Sequence, residues 1–177
     1  MSPTILVAGI GNIFLGDDAF GSEVARRLLL QTWPAGVRVE DFGIRGFDLT
    51  FALMDRYDAV ILVDATPRGG LPGTLYTIEP DLSELDQLAA GGATIEPHAM
   101  NPLNVLRAAK SMGADFGEVL LIGCEPSPEY MDPDGPGHMG LSEPVGRVMD
   151  QAVNLVNEMV AQLIVNRSQN QTATGGI

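Results

Sequence analysis

The chain has 177 residues, 45% of them hydrophobic, which is enough for one domain to bury a core without disulfides or a structural metal. Acids outnumber bases 23 to 10, and the formal charge of −13 argues against a nucleic-acid partner, which needs clustered Lys and Arg. No apolar run approaches the ~20 residues that span a bilayer, and a lone cysteine, Cys124, with no leader-like start fits the cytoplasm.

The expected elements follow in chain order. Residues 4–9 are short and β-branched and read as a buried strand. A turn through Gly9-Ile10-Gly11-Asn12 leads to the acidic pair Asp17 and Asp18 and then to a helix over residues 19–31. Strands are expected at 37–41 and 58–64, with a helix at 47–55 between them. Residues 75–79, after the turn Leu71-Pro72-Gly73, suit an antiparallel edge strand. A helix over 102–112 has Asn101 as N-cap, Pro102 in its first turn and Gly113 as its stop. A strand at 118–123 precedes the last helix, which runs from about Ser142 to about Asn166 with an apolar stripe from Val145 through Val156 to Leu163. Residues 67–73 and 126–140 are Pro- and Gly-rich, long enough to wall a site. Residues 1–166 thus form the domain, and 167–177 a polar, disordered tail. Alternation of this kind predicts an α/β three-layer sandwich, with a twisted, mostly parallel sheet of about five strands and helices on both faces.

In such a sheet, sites form in the crevice beyond the carboxyl ends of the strands. Gly9 and Gly11 first suggest a dinucleotide cradle, with Asp41 as the ribose-binding acid. Phe14, however, stands where the third glycine belongs, and two carboxylates would repel a pyrophosphate. Acids are favoured in first helical turns, so Asp17 reads as a helix cap, which leaves Asp18 to face the crevice. Asp64 closes a buried strand, where a carboxylate needs a partner or a cation. His98 lies just ahead of a capped helix and would complete a mixed N/O metal set with the two acids. His138 could be a fourth ligand or a substrate contact, although an exposed loop histidine is the simpler reading. Neither a Gly-x-Ser-x-Gly elbow nor a His-Glu-x-x-His pair is present, and Cys124 reads as a small buried residue at a strand end.

The start Gly-Ile-Gly-Asn-Ile-Phe-Leu-Gly-Asp-Asp-Ala-Phe-Gly resembles the opening signature of the hydrogenase maturation proteases. The resemblance continues in order through Asp41-Phe42-Gly43-Ile44-Arg45-Gly46, Val63-Asp64-Ala65, Pro97-His98 and Gly140-Leu141-Ser142-Glu143-Pro144. These endopeptidases trim the C-terminal extension from the large-subunit precursor of nickel–iron hydrogenases. The resemblance implies metal ligation by Asp18, Asp64 and His98, and a further acid at Asp41. It also implies an aspartic-type or metal-assisted endopeptidase whose nickel arrives with the substrate; a monomer is the simplest expectation for an enzyme that must dock a large folded subunit. Ala99-Met100-Asn101-Pro102 departs from the polar residues that often follow the third family signature, which leaves the client's subtype open. The alternative from another class is a nonenzymatic module that binds and delivers nickel.

Overall fold

The computed structural model describes residues 2–81, 83 and 101–174. Five strands form one sheet: β1 (Ile5–Ile10), β2 (Val37–Gly43), β3 (Ala59–Ala65), β4 (Leu75–Ile78) and β5 (Glu118–Cys124), in the order β2-β1-β3-β5-β4. The first three pair in parallel with their neighbours and with β5, whereas β4 runs antiparallel to β5 at the edge. The expected α/β architecture is therefore present, including its antiparallel edge.

Every residue of β1 and β3 is buried, because both faces of the sheet are covered. The two-residue period of a strand divides the core. On one face, Ile5, Val7, Ile61 and Val63 pack against Phe20 and Val24 of α1 (Phe20–Leu28) and Met149, Val156 and Val160 of α5 (Met149–Thr174). On the other, Leu6, Ala8, Val60 and Leu62 meet Leu49 of α2 (Gly46–Ala52) and Leu106 of α3 (Pro102–Ser111).

Helix α1 can lie this close to the sheet because of two glycines. A Cβ at Gly21 would strike the carbonyl oxygens of Val63 and Ile10, and one at Gly9 would strike Ala25 and the Gly21 carbonyl. At the start of α3, Asn101 Oδ1 accepts the Leu103 N–H at 2.9 Å, with Pro102 in the first turn, as expected.

Some boundaries differ from expectation. The first helix is shorter and is preceded by a 3-10 turn at Gly16–Ala19. The last is broken at Val148 into α4 (Glu143–Arg147) and α5. Helical backbone also continues to Thr174 instead of stopping near Asn166. Arg167 Nη1 holds Asp58 Oδ1 at 2.9 Å, and Ser168 Oγ donates to the Ile164 carbonyl at 2.8 Å, so this polar stretch is tied both to the body and to the preceding turn. Among the described residues, no helix is long and apolar enough to cross a membrane.

Candidate active site at the carboxyl edge of the sheet

Parallel pairing brings the carboxyl ends of β2, β1, β3 and β5 to one edge, and the acidic residues singled out in the sequence gather there. The loop after β1 folds back tightly. Gly11 N donates to the Gly43 carbonyl at 3.0 Å, and a Cβ at Gly11 would collide with the Asp18 carbonyl. Asn12 Oδ1 accepts the Phe14 N–H, while Asn12 N donates to Asp18 Oδ2 at 3.0 Å. This turn sets the Asp18 carboxylate into the crevice, half-buried.

Asp64, on β3, is only 8% exposed. Burial first, and the charge of Asp18 second, push its pKa well above the ordinary 3.8, against a single opposing N–H from Ala65. Burial likewise raises Asp18, with the Asn12 N–H pulling the other way. The structure thus brings Asp18 and Asp64 together as an acidic pair that no cation offsets among the described residues. Such a pair is relieved by a proton or by a cation, and its hard oxygen donors fit a metal ion.

Asp41 occupies a different position. It sits on β2 opposite Gly9, where its Oδ1 accepts the Gly43 N–H at 3.0 Å and its Oδ2 pairs with Arg26 Nε at 3.4 Å. Asp41 is already partnered by a cation. His98 lies outside the described residues. Among those described, no three acid, histidine or cysteine side chains are grouped to hold a metal, so His138 does not join Asp18 and Asp64 as a ligand. Instead its ring stacks on Tyr130 with centroids 4.0 Å apart and planes 14° from parallel.

The acidic pair divides differently from expectation at its first member. Asp17 is not a cap: Leu15 holds the N-cap position of the 3-10 turn, and no side chain caps it. Asp17 is fully buried and reaches across the fold. Its Oδ1 accepts the Ser142 N–H at 2.7 Å, and its Oδ2 accepts the Ser127 N–H at 2.8 Å and the Ser142 hydroxyl at 2.7 Å.

Glu125 escaped the sequence reading. It is buried, and it accepts N–H groups from Arg68 at 2.8 Å and Gly69 at 3.1 Å and the Tyr76 hydroxyl at 2.7 Å. Burial alone would raise its pKa. The Tyr76 hydroxyl and the N–H groups of Arg68, Gly70 and Gly69 together outweigh it, and Glu125 titrates below its ordinary 4.5. The signal was available, since an acid directly after a buried strand is the pattern that singled out Asp64. Beside it, burial and the charges of Asp17 and Glu125 push the Cys124 thiol up to about 12, which removes it as a nucleophile at neutral pH.

Comparison with known proteins gives a consistent result. Residues 22–159 match the family model of the hydrogenase maturation protease HycI. The chain is 30% identical to the hydrogenase 2 maturation protease of Escherichia coli, over 86% of this chain and 87% of that one. It is 33% identical to the hydrogenase expression/formation protein HoxM of Azotobacter vinelandii, over 91% of this chain and 74% of the relative. Among solved structures, the hydrogenase maturating endopeptidase HybD of E. coli superposes with a TM-score of 0.71 at 28% identity, covering 90% of this chain and 93% of the other. A hydrogenase 2 maturation peptidase from a Thaumarchaeota archaeon gives 0.66 at 34% identity, covering 89% and 98%.

Proposed function

The chain belongs to the hydrogenase maturation protease family, and from that membership we propose that it removes the C-terminal extension of a nickel–iron hydrogenase large-subunit precursor after nickel insertion. The observation that carries this reading is the acidic pair Asp18 and Asp64, whose pKa values are raised by burial and, at Asp64, by the neighbouring charge. Such a pair is poised to accept a cation presented by a partner. The cation is nickel bound to the precursor, and it belongs to the substrate rather than to the enzyme. His98 is the third ligand in this reading.

Asp18, Asp64 and His98 would hold the nickel, which would supply polarisation of the scissile carbonyl or acidification of an attacking water. Asp18 and Asp64 release any shared proton as they take up the charge. A carboxylate at this edge then accepts the proton of the attacking water. Asp18, Asp64 and Asp41 are the candidates for that role, Asp41 from a position where Arg26 already pairs it. The setting is the cytoplasm, a reducing compartment that suits a chain with one unpaired cysteine.

The test is to mix the protein with nickel-loaded and with nickel-free precursor and to measure the mass of the large subunit. Cleavage of the loaded form alone is expected. Equal cleavage of both would remove nickel recognition from the reading. Tight nickel binding with no cleavage would instead favour a delivery module.

A further inference from the structure

One carboxylate fastens both ends of a loop. Residues 128–141 leave the body at Ser127 and return at Ser142, and both of those N–H groups end on Asp17, at 2.8 and 2.7 Å. The Ser142 hydroxyl adds a third bond to Asp17 at 2.7 Å, and the two serine hydroxyls bond one another at 3.1 Å. The middle of the loop is fastened to the preceding residue. Gly16 N donates to the His138 carbonyl at 2.8 Å, and Gly16, with φ of 47°, has its missing Cβ filled by the Tyr130 backbone. Tyr130 and His138, on opposite limbs of the loop, therefore both bear on Gly16, two residues before Asp18. Their stacked rings form a platform there, with Met139 next to His138 76% exposed.

A buried aspartate with three good bonds could serve stability alone, but the fold has more economical ways to cap a short 3-10 turn. Asp17 spends its whole carboxylate on segments 110 and 125 residues away and none on its own turn. What that connection controls is where the ring platform stands relative to Asp18.

We infer that Asp17 is a positioning residue, which holds the Tyr130–His138 platform at the mouth of the carboxylate crevice so that the platform grips the polypeptide leading to the scissile bond. The inference rests on the reading of the chain as a precursor-processing endopeptidase. The partner chemistry is an extended segment with an apolar or planar side chain, matched by the ring faces and by the adaptable thioether of Met139.

The test measures KM and kcat on nickel-loaded large-subunit precursor for the full chain, for the double variant Tyr130→Ala/His138→Ala, for Asp17→Asn, and for the three changes combined. Asn cannot accept at both oxygens, so it releases one end of the loop. Both the ring variant and Asp17→Asn are expected to raise KM about tenfold with little change in kcat, as loss of binding ahead of the chemistry does. The combined variant should be no worse than Asp17→Asn alone, because the two changes remove the same contact. If the two rises multiply, or if the ring variant leaves KM unchanged, the inference is overturned. A purely structural Asp17 would lower melting temperature without this non-additivity. Should Asp17→Asn fail to fold, Ser142→Ala removes the hydroxyl bonds to Asp17 and Ser127 but keeps the Ser142 N–H bond, and must show a smaller rise with the same non-additivity. A wild-type protein that leaves the precursor uncut would overturn the functional reading itself, and this inference with it.

Discussion

Asp18 acts electrostatically on Asp64 at the carboxyl edge of the sheet, where the charge of the first is second only to burial in raising the pKa of the second. The two elements that carry them come from distant parts of the chain. Asp18 follows the tight turn after β1, and Asp64 lies in the last turn of pleat of β3, which pairs in parallel with β1. The fold therefore maintains a repulsion that a single substitution could relieve.

This gives the first prediction. A carboxyl whose pKa is higher folded than unfolded weakens folding as pH rises above the unfolded value, until the folded group also ionises. Asp64→Asn removes that charge and keeps an acceptor for the Ala65 N–H. It should raise the melting temperature at pH 7, by an amount equivalent to about 1 kcal/mol, and abolish precursor cleavage. The gain should vanish below the ordinary 3.8, where the carboxyl is protonated in both states. Thermal melts of the two proteins at neutral and acid pH decide it, and an unstabilised, active variant would contradict both halves.

The second prediction concerns the contact between α1 and the sheet. Gly21→Ala places a methyl against the Val63 and Ile10 carbonyl oxygens, which belong to two strands and cannot both withdraw. Overpacking of this kind typically costs about 1–3 kcal/mol, and rigid backbone on both sides places this case at the upper end or beyond. Urea unfolding should show the midpoint falling with an unchanged slope. A midpoint equal to wild type would mean that α1 can shift outward freely.

These cases show which features the sequence made legible. Strands β1, β3 and β5 stood out because burial on both faces demands unbroken apolar runs, and Asp18 and Asp64 stood out because acids end or follow such runs. Gly21 did not stand out. The dinucleotide fingerprint directs attention to position 14, whereas the close helix–strand approach here is made ten residues after Gly11. Asp17 was misread for a related reason. Its local context is that of a cap, but its partners, Ser127 and Ser142, are close only in the folded chain. Glu125 carries the same mark as Asp64, an acid at the end of a buried strand, but its partners, the N–H groups of Arg68 and Gly69 and the Tyr76 hydroxyl, come together only in the folded chain.

The third prediction follows from Glu125. Its carboxylate organises the turn at Arg68–Gly70, the loop that continues from Asp64, through bonds to successive N–H groups. Glu125→Gln keeps the size of the side chain but replaces one acceptor with a donor that faces other donors. The loss should be about 1–3 kcal/mol, and hydrogen exchange at the amides of Arg68 and Gly69 should quicken. Because the folded pKa is depressed, the contribution is present above the ordinary 4.5 and is lost as pH falls through the folded value. Unchanged exchange at these two amides would mean that the turn holds its shape without the charge.

The last prediction addresses the far end of the molecule. Asp58 accepts Thr4 N at 2.8 Å and the Thr4 hydroxyl at 3.1 Å, and its Oδ1 meets Arg167 Nη1 at 2.9 Å. The Thr4 N–H is the main cause of its lowered pKa, opposed by partial burial and assisted by the Thr4 hydroxyl and the charge of Arg167. A depressed carboxyl stabilises the fold above its unfolded pKa, here 3.8, and that support disappears as pH falls through the folded pKa. Asp58→Asn should therefore melt earlier than wild type at pH 7, and the two curves should converge as pH falls through the folded pKa, below the ordinary 3.8. Arg167→Ala should lower the melting temperature by no more than a few degrees, because the ion pair is partly exposed and such pairs contribute little. It should also loosen α5 beyond Asn166, since Arg167 bonds both the Asp58 carboxylate and the Asp58 carbonyl and so fastens that stretch to the start of β3. Amide exchange along residues 167–169 reads this directly. Protection equal to wild type would show that helical propensity alone carries the helix past the end expected from its apolar stripe.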